Sequence, residues 1–446
     1  MIRRLPTLIA LALLAGLYGG GAAHAATGVA PARGFVPRQL IVKFEGQRFG
    51  RAIGLPPRVG VRLAAAALNR SPGVAYAAPN YLATASTQLL PADGIPNDPG
   101  ALFDPLLPGA WVTKQWNFLP WEGVAIPELP ISAGGIDAVG AWKNLIAVQR
   151  RGAKGITVAV LDTGIAYRNK EKRFRRSPDF SSGQFTKGYD FVTNSALPLD
   201  RNGHGTHVAG TIAEKTNNGI GLTGLAYRAK LMPVRVLDRQ GSGDADDIAR
   251  GIRFAVKHRA DVINMSFNFE CGKSVPGIDE ALRFAYENGV VAVASVGNLG
   301  SETCVSPPAT SPHVIGVGGT TQGGCLGNYS LEGDGVDLVA PGGGTPASGC
   351  LSVLAGSILQ VTFEGSNPRQ FDEPGGYVGT SMAAAHVSGV AALVLASGTI
   401  DPKKNRGRVG AVTRRLRATA RDLGLPTTQQ GAGLIDAGRA TDPGAY

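Results

Sequence analysis

The stretch GTSMAAAHVSG, Gly379 to Gly389, decides how this chain is read. Ser381 is either a capping hydroxyl on a buried, alanine-rich helix or a nucleophile at the mouth of one. Ser is an ordinary helix N-cap, so the stretch alone favours the cap. The segment from Met382 to Ala396 is apolar nearly all round, which puts this helix in the interior of a large domain. Upstream, β-branched runs alternate with helical patterns. The expected strands are GITVAVLD (155–162), KLMPVRVL (230–237), DVINMS (261–266), GVVAVASVGN (289–298) and HVIGVGG (313–319). Helical patterns run from His207 to Lys215, Asp244 to His258 and Ile278 to Asn288. Continuous apolar strands separated by helices imply a parallel sheet covered on both faces, a three-layer α/β architecture. In such sheets, sites form beyond the carboxyl ends of the strands.

The chain has 446 residues, 43% of them hydrophobic, enough for two or three domains and a large core. Arg3 and Arg4, the apolar run Leu8 to Leu17 and Ala23-His24-Ala25 read as a secretory signal cleaved after Ala25. The product is expected to be secreted, extracellular or periplasmic, with no membrane association once the signal is removed. Export makes disulfides the expected state of Cys271, Cys304, Cys325 and Cys350. Of the three possible pairings, Cys271–Cys304 with Cys325–Cys350 is preferred. No CxxC occurs, which removes a cysteine metal site. Much of the net charge of +11 sits in Arg168–Arg176 and Lys403–Arg421. Neither run is interleaved with stacking aromatics, so a solvated loop and a solvated helix face are expected rather than nucleic-acid binding.

The expected organisation has four parts. Residues 1–25 are the signal and 26–90 a small α+β segment. The latter holds the strand RQLIVKF (38–44) and a turn and strand in SPGVAYAAPNY (71–81). Residues 91–110, rich in Pro and Gly without a period, read as a linker or processing region. Residues 111–446 form the main domain.

Three residues fall where chemistry is expected. Asp162 closes GITVAVLD, His204 lies in the Gly-flanked helix entry NGHGTHVAG, and Ser381 precedes the buried helix. LDTG suits an aspartic peptidase, but no second Asp-Thr-Gly or Asp-Ser-Gly is present to share a proton. GTSMA suits an α/β-hydrolase elbow, which needs a histidine after the serine. The only one is His386, five residues along the same helix. The order Asp, His, Ser remains, and it is the order of subtilisin.

VAVLDTGI, NGHGTHVAGTIA, PVRVLDRQGSG, INMSF, ASVGN and GTSMAAAHVSG resemble the successive signature segments of subtilisin-like serine peptidases, over about Gln115 to Ala440. The resemblance implies a secreted serine endopeptidase acting through an acyl-enzyme. Ser381 would be the nucleophile, His204 the general base and Asp162 its orienting partner. His207 would be a packed helix residue. Asn298 would donate to the oxyanion together with the Ser381 backbone N–H. Gly241-Ser242-Gly243 would pair with an extended peptide substrate on one side and Ser266-Phe267-Asn268 on the other. An apolar residue before the scissile bond is expected, with Glu302 as a reason for a basic one instead. A structural calcium would be held by Gln115, Asp179, Asn218 and the carbonyls of Thr216, Ile220 and Leu222. The segment 26–90 would be a short pro-segment, acting as transient inhibitor and folding aid of a monomeric enzyme. Ala385, where the family usually has Pro, is a packing change. The contrasting reading is a non-catalytic binding or surface protein on the same fold.

Overall fold

The computed structural model describes residues 35–47, 50–57, 59–81, 96–102, 109–122, 129–300, 303–352, 354–400 and 405–445. The signal at 1–25 and Glu302 lie outside them. The chain divides into two compact units, 1–87 and 88–446.

In the first unit, β1 (Phe35–Phe44) pairs antiparallel with both β2 (Arg51–Gly54) and β3 (Val74–Tyr81). The helix α1 (Val61–Leu68) buries Val61 and Ala65 in a small core with Leu40, Val42 and Ala77. Both expected strands are present. Strand β2 and helix α1 are additional, being too short for a clear sequence period.

The second unit is built on seven strands: β4 (Thr157–Asp162), β5 (Tyr189–Asp190), β6 (Lys230–Arg235), β7 (Val262–Met265), β8 (Val291–Ser295), β9 (Val314–Thr320) and β10 (Leu338–Pro341). Every pairing in this sheet is parallel, in the order β10-β9-β8-β7-β4-β6-β5. All five expected strands are here, each buried along nearly its whole length. The chain starts at β4, builds β5 and β6 to one side and then crosses to β7 on the other. The direction of winding therefore reverses between β4 and β7, the crevice where open α/β sheets carry their sites. A short hairpin, β11 (Thr362–Phe363) with β12 (Phe371–Asp372), completes the strands.

Helices cover both faces. They are α2 (Ala138–Ala147), α3 (His204–Ala213), α4 (Ala245–Lys257), α5 (Pro276–Glu287), α6 (Thr380–Ser397) and α7 (Asn405–Thr419). α4 starts after Asp244, whose carboxylate caps the Asp247 N–H at 2.9 Å. α6 packs on α3 and β7–β10, and all 18 of its residues are buried. It is long and apolar enough to cross a bilayer, but it lies wholly inside the protein. Its alanines, Ala385 included, let it approach the strands closely.

Two expectations are corrected. Residues 96–102 are not linker: Asp98 is fully buried, Ala101 bridges Gly221, and the Trp111 indole donates to the Pro96 carbonyl. A Pro- and Gly-rich stretch looks unstructured until a distant loop supplies its partners. Helix α7 is a solvated basic face only in part: Arg414 and Arg417 are exposed, as expected. Arg408 and Arg415 are buried; Arg408 pairs with Asp261 at 2.6 Å and Arg415 donates to the Ala440 carbonyl. Arg421, just beyond, lies over the Trp121 ring. The Arg168–Arg176 run, by contrast, is a largely exposed loop, as expected.

Candidate active site

Asp162 and His204 are joined at the carboxyl end of the sheet, and Ser381 is tied to Ser266, the residue that follows the neighbouring strand β7 opposite Asp162. Asp162 ends β4 with no exposed surface, and His204 opens α3. His204 Nδ1 lies 2.9 Å and 3.0 Å from the two carboxylate oxygens of Asp162. A carboxylate can only accept here, so Nδ1 carries a proton and Nε2 is the ring's basic position. Burial lowers the His204 pKa, but the Asp162 charge, its hydrogen bond and the Asp200 charge outweigh burial and hold the pKa above its usual value. Ser381 Oγ donates to the Ser266 carbonyl at 3.1 Å, and no hydrogen bond joins it to His204.

The capping expectation fails in an instructive way. Gly379 is the N-cap, no side chain caps α6, and Ser381 is the second helical residue. Gly379 holds φ at +146°, and a Cβ there would sit 3.1 Å from Asn298 Nδ2. Glycine is therefore required for the close approach of this turn to Asn298. Thr380 makes the contact that sequence reading missed. Its N–H and hydroxyl both donate to Asn298 Oδ1, at 2.8 and 2.9 Å. Gly297 N–H in turn donates to Thr380 Oγ1 at 3.3 Å. Two donors on one amide oxygen fix the orientation of Asn298 and turn Nδ2 outward beside the helix N-terminus.

Asp200 is the second residue that sequence reading missed. Buried, it accepts from Thr163 Oγ1, the N–H groups of Asn202, Gly203 and Thr206, and Thr206 Oγ1, at 2.6 to 3.0 Å. It thereby ties the loop entering α3 to the residue following Asp162. Its signal in the sequence is an Asp four residues before the His, indistinguishable there from a turn former.

The two rival histidines are structural. His207 Nε2 lies 2.9 Å from the Ile358 carbonyl, the ring stacks on Tyr377, and burial lowers its pKa to about 3. His386 bonds Met382 O and Asn117 Nδ2, both at 2.8 Å, and burial lowers its pKa to about 4. Neither faces Ser381.

The expected substrate segments flank this centre differently. Gly241, Ser242 and Gly243 form an exposed turn folded onto Asp238, which accepts the Gly241 and Ser242 N–H groups and donates its own N–H to the Ser242 carbonyl. Ser266 is built into the centre, its hydroxyl donating to the Ser381 carbonyl at 2.8 Å. Phe267 packs at the edge of the core. Asn268 is tied by Nδ2 to the Ser295 carbonyl at 2.5 Å, so its amide braces the wall of the cleft. The cysteines pair as preferred, Cys271–Cys304 and Cys325–Cys350. The first bridge joins the loop following β7 to the loop following β8, which carries Asn298.

The expected metal ligands are only partly gathered. Asn218 Nδ2 donates to Asp179 Oδ1 at 2.7 Å, and Leu222 N–H donates to Asp179 Oδ2 at 3.0 Å. Gln115 instead clamps the backbone of Thr223, with bonds of 2.9 and 2.8 Å. Asp98, overlooked because it sits in the apparent linker, accepts from Asn217 and Asn218 N–H and is fully buried. Burial raises its pKa to about 7, and burial together with the Asp98 charge raises that of Asp179. Buried Glu214 lies beside them, its pKa raised by burial and by the Asp179 charge and drawn down by the Val361 N–H. No three Asp, Glu, His or Cys side chains among the described residues converge as a metal cage.

The subtilase family (peptidase S8) model matches residues 153–433. The thermophilic serine proteinase of Bacillus sp. strain AK1 is 38% identical over 248 residues, which cover 56% of this chain and 54% of that protein. The chain thus spans about half the length of that relative. Thermitase of Thermoactinomyces vulgaris is 36% identical, over 55% of this chain and 76% of thermitase. A solved protease structure from Pseudoalteromonas arctica PAMC 21717 superposes with a TM-score of 0.61 at 30% identity, covering 79% of this chain and all of that one. With the family matched over more than half its length on a parallel seven-stranded sheet, the chain belongs to the subtilase family of serine peptidases.

Proposed function

We propose that this protein is a secreted serine endopeptidase that hydrolyses peptide bonds through Asp162, His204 and Ser381. The observation that supports the reading is the two-oxygen contact of Asp162 with His204 Nδ1 at the sheet's switch point, with Ser381 bonded to Ser266 at the end of the adjacent strand. A neutral hydroxyl is a weak nucleophile, so catalysis needs His204 Nε2 to take the Ser381 proton as Oγ attacks the substrate carbonyl. Asp162 stabilises the imidazolium formed, and His204 then returns the proton to the leaving amine, giving an acyl-enzyme that water hydrolyses. The oxyanion would be met by Asn298 Nδ2 and the Ser381 N–H, whose helix-end position favours negative charge.

The substrate would be an extended protein segment running between Gly241–Gly243 and Ser266–Asn268, with an apolar residue before the scissile bond. Residues 26–90 would act as a transient inhibitor and folding aid, and the mature enzyme as a monomer. A structural calcium fits the 214–224 loop. Buried Asp98 and Asp179 lack a cation partner, and a hard ion with oxygen ligands would relieve their mutual repulsion. Asp98, Asp179, the Asn218 side-chain oxygen and the carbonyls of Thr216, Ile220 and Leu222 would hold it. Gln115 would support the loop through Thr223.

Labelling with a serine-directed phosphonofluoridate tests the reaction. Stoichiometric label, abolished by Ser381→Ala, is expected. No label on folded, processed protein would leave the non-catalytic reading standing.

A further inference from the structure

At the opposite end of the sheet lie two adjoining grooves, of about 420 and 660 Å³, which share Arg151 and Arg228. The smaller adds Lys215 and Lys230, and the larger adds Arg150 and Lys154. All six cations are exposed, and among the described residues none is within ion-pair distance of a carboxylate. The one acid in the lining, Asp261, is already neutralised by Arg408.

The convergence of the Arg151 and Arg228 segments is built into the backbone. Ala153 N–H donates to the Tyr227 carbonyl at 2.9 Å, stitching the two segments together. A Cβ on Gly152 would fall 2.1 Å from that carbonyl, so only glycine allows the approach. Arg228 itself is held at φ +71°, a left-handed conformation that costs a non-glycine residue about 1–2 kcal/mol. Two arginines from distant segments thus line the same grooves, one of them on a strained backbone. Backbone outliers of this kind gather at ligand sites.

We infer that these joined grooves are an exosite for a linear anionic polysaccharide bearing sulfate or phosphate groups. Both grooves are concave, a shape that suits a single chain better than a flat bilayer. No exposed aromatic ring is available to stack bases: Tyr227, which lines the smaller groove, is only 7% exposed. Six cations in series suit a polymer better than a single free anion. Ile156 lines the larger groove, and Asp162 stands at the far end of the same strand. Six residues at about 3.3 Å each separate them by roughly 20 Å. The exosite would hold the enzyme on an anionic matrix and leave the peptide cleft open.

The test uses the full chain carrying Ser381→Ala and a fluorescent heparin dodecasaccharide, titrated from 50 to 200 mM salt. Arg151→Ser with Arg228→Ser should weaken binding at least tenfold and reduce the log–log salt slope by about 2, as expected for two lost ionic contacts. Arg151→Lys with Arg228→Lys should retain binding within threefold. Lys172→Ser with Arg173→Ser, on the other basic loop, should change it less than twofold. With Ser381 intact, hydrolysis of a small neutral peptide should be unaffected by the serine variants and by heparin. The proposal is overturned if the Arg151/Arg228 serine variant binds like the parent or if the Lys172/Arg173 variant loses binding. It is equally overturned if single-stranded DNA or anionic vesicles bind more tightly than heparin through the same arginines.

Discussion

Thr380 offers a sharp test of how the oxyanion donor is aimed. Thr380→Val preserves shape and the backbone N–H bond to Asn298 Oδ1, but deletes the hydroxyl bond of 2.9 Å. One hydrogen bond is worth about 1 kcal/mol net. If that energy is what aims Nδ2, about 1 kcal/mol of transition-state stabilisation is lost, or roughly fivefold in kcat. The ceiling is set by losing the donor altogether: in subtilisin, removing the corresponding asparagine costs about 100–1,000-fold, and Asn298→Ala should do the same here. The substitution also leaves the Gly297 N–H without its acceptor, costing about 1–3 kcal/mol of stability. The assay is kcat and KM on a chromogenic peptide, normalised to titrated active sites. The expected result is a kcat about fivefold lower with KM within twofold, restored by Thr380→Ser. In the Asn298→Ala background, Thr380→Val should add almost nothing, because both changes act on one donor. An equal fivefold loss in both backgrounds would show that Thr380 does not act through Asn298 and would refute the reasoning.

Other outcomes follow from the same geometry. In the proposed mechanism catalysis needs neutral His204, so kcat/KM should fall as pH drops through its raised pKa. Asp162→Asn should move that limb to lower pH and cost on the order of 10⁴-fold in kcat, the loss known for this change in a triad. A limb that stays put would remove Asp162 as the cause of the shift. His207, with its pKa lowered to about 3, binds fewer protons folded than unfolded between that value and about 6.5. The stability it contributes is full above about pH 6.5 and is lost as pH falls, by roughly 2–3 kcal/mol at pH 4.5. The urea midpoint of His207→Gln should therefore fall less between pH 7 and 4.5 than that of the parent; parallel curves would contradict this. Calcium at a hundred times its Kd should stabilise the Ser381→Ala chain by about 2.7 kcal/mol, reversed by EDTA, with most of the gain lost in Asp98→Asn. A melting temperature indifferent to both calcium and EDTA would count against the site.

Much of the fold was legible because burial writes itself into local composition. Strands covered on both faces must be apolar throughout, and GITVAVLD, DVINMS and GVVAVASVGN all are. The errors came where a residue's role depends on distant partners. Asp98 looked like part of a linker because its donors, Asn217 and Asn218, lie about 120 residues away. Arg408 and Arg415 looked solvated because Asp261 and the C-terminal carbonyls are invisible from their own helix.

The sequence by itself determined the class of architecture, the chemical types at the centre and their order. Periodicity is a local property, and Asp, His and Ser are informative wherever each meets a strand end or a helix mouth. Only the tertiary structure decided which hydroxyl serves which purpose. Gly379 caps α6, Thr380 fixes the Asn298 amide, and Ser381 is left beside the helix dipole with Ser266 as its resting partner. It also decided that Arg151 and Arg228 line the same grooves, since two segments more than 70 residues apart are stitched together beside Gly152. Hydrogen bonds and charges act over a few ångströms in space, and distance along the chain says little about who comes that close.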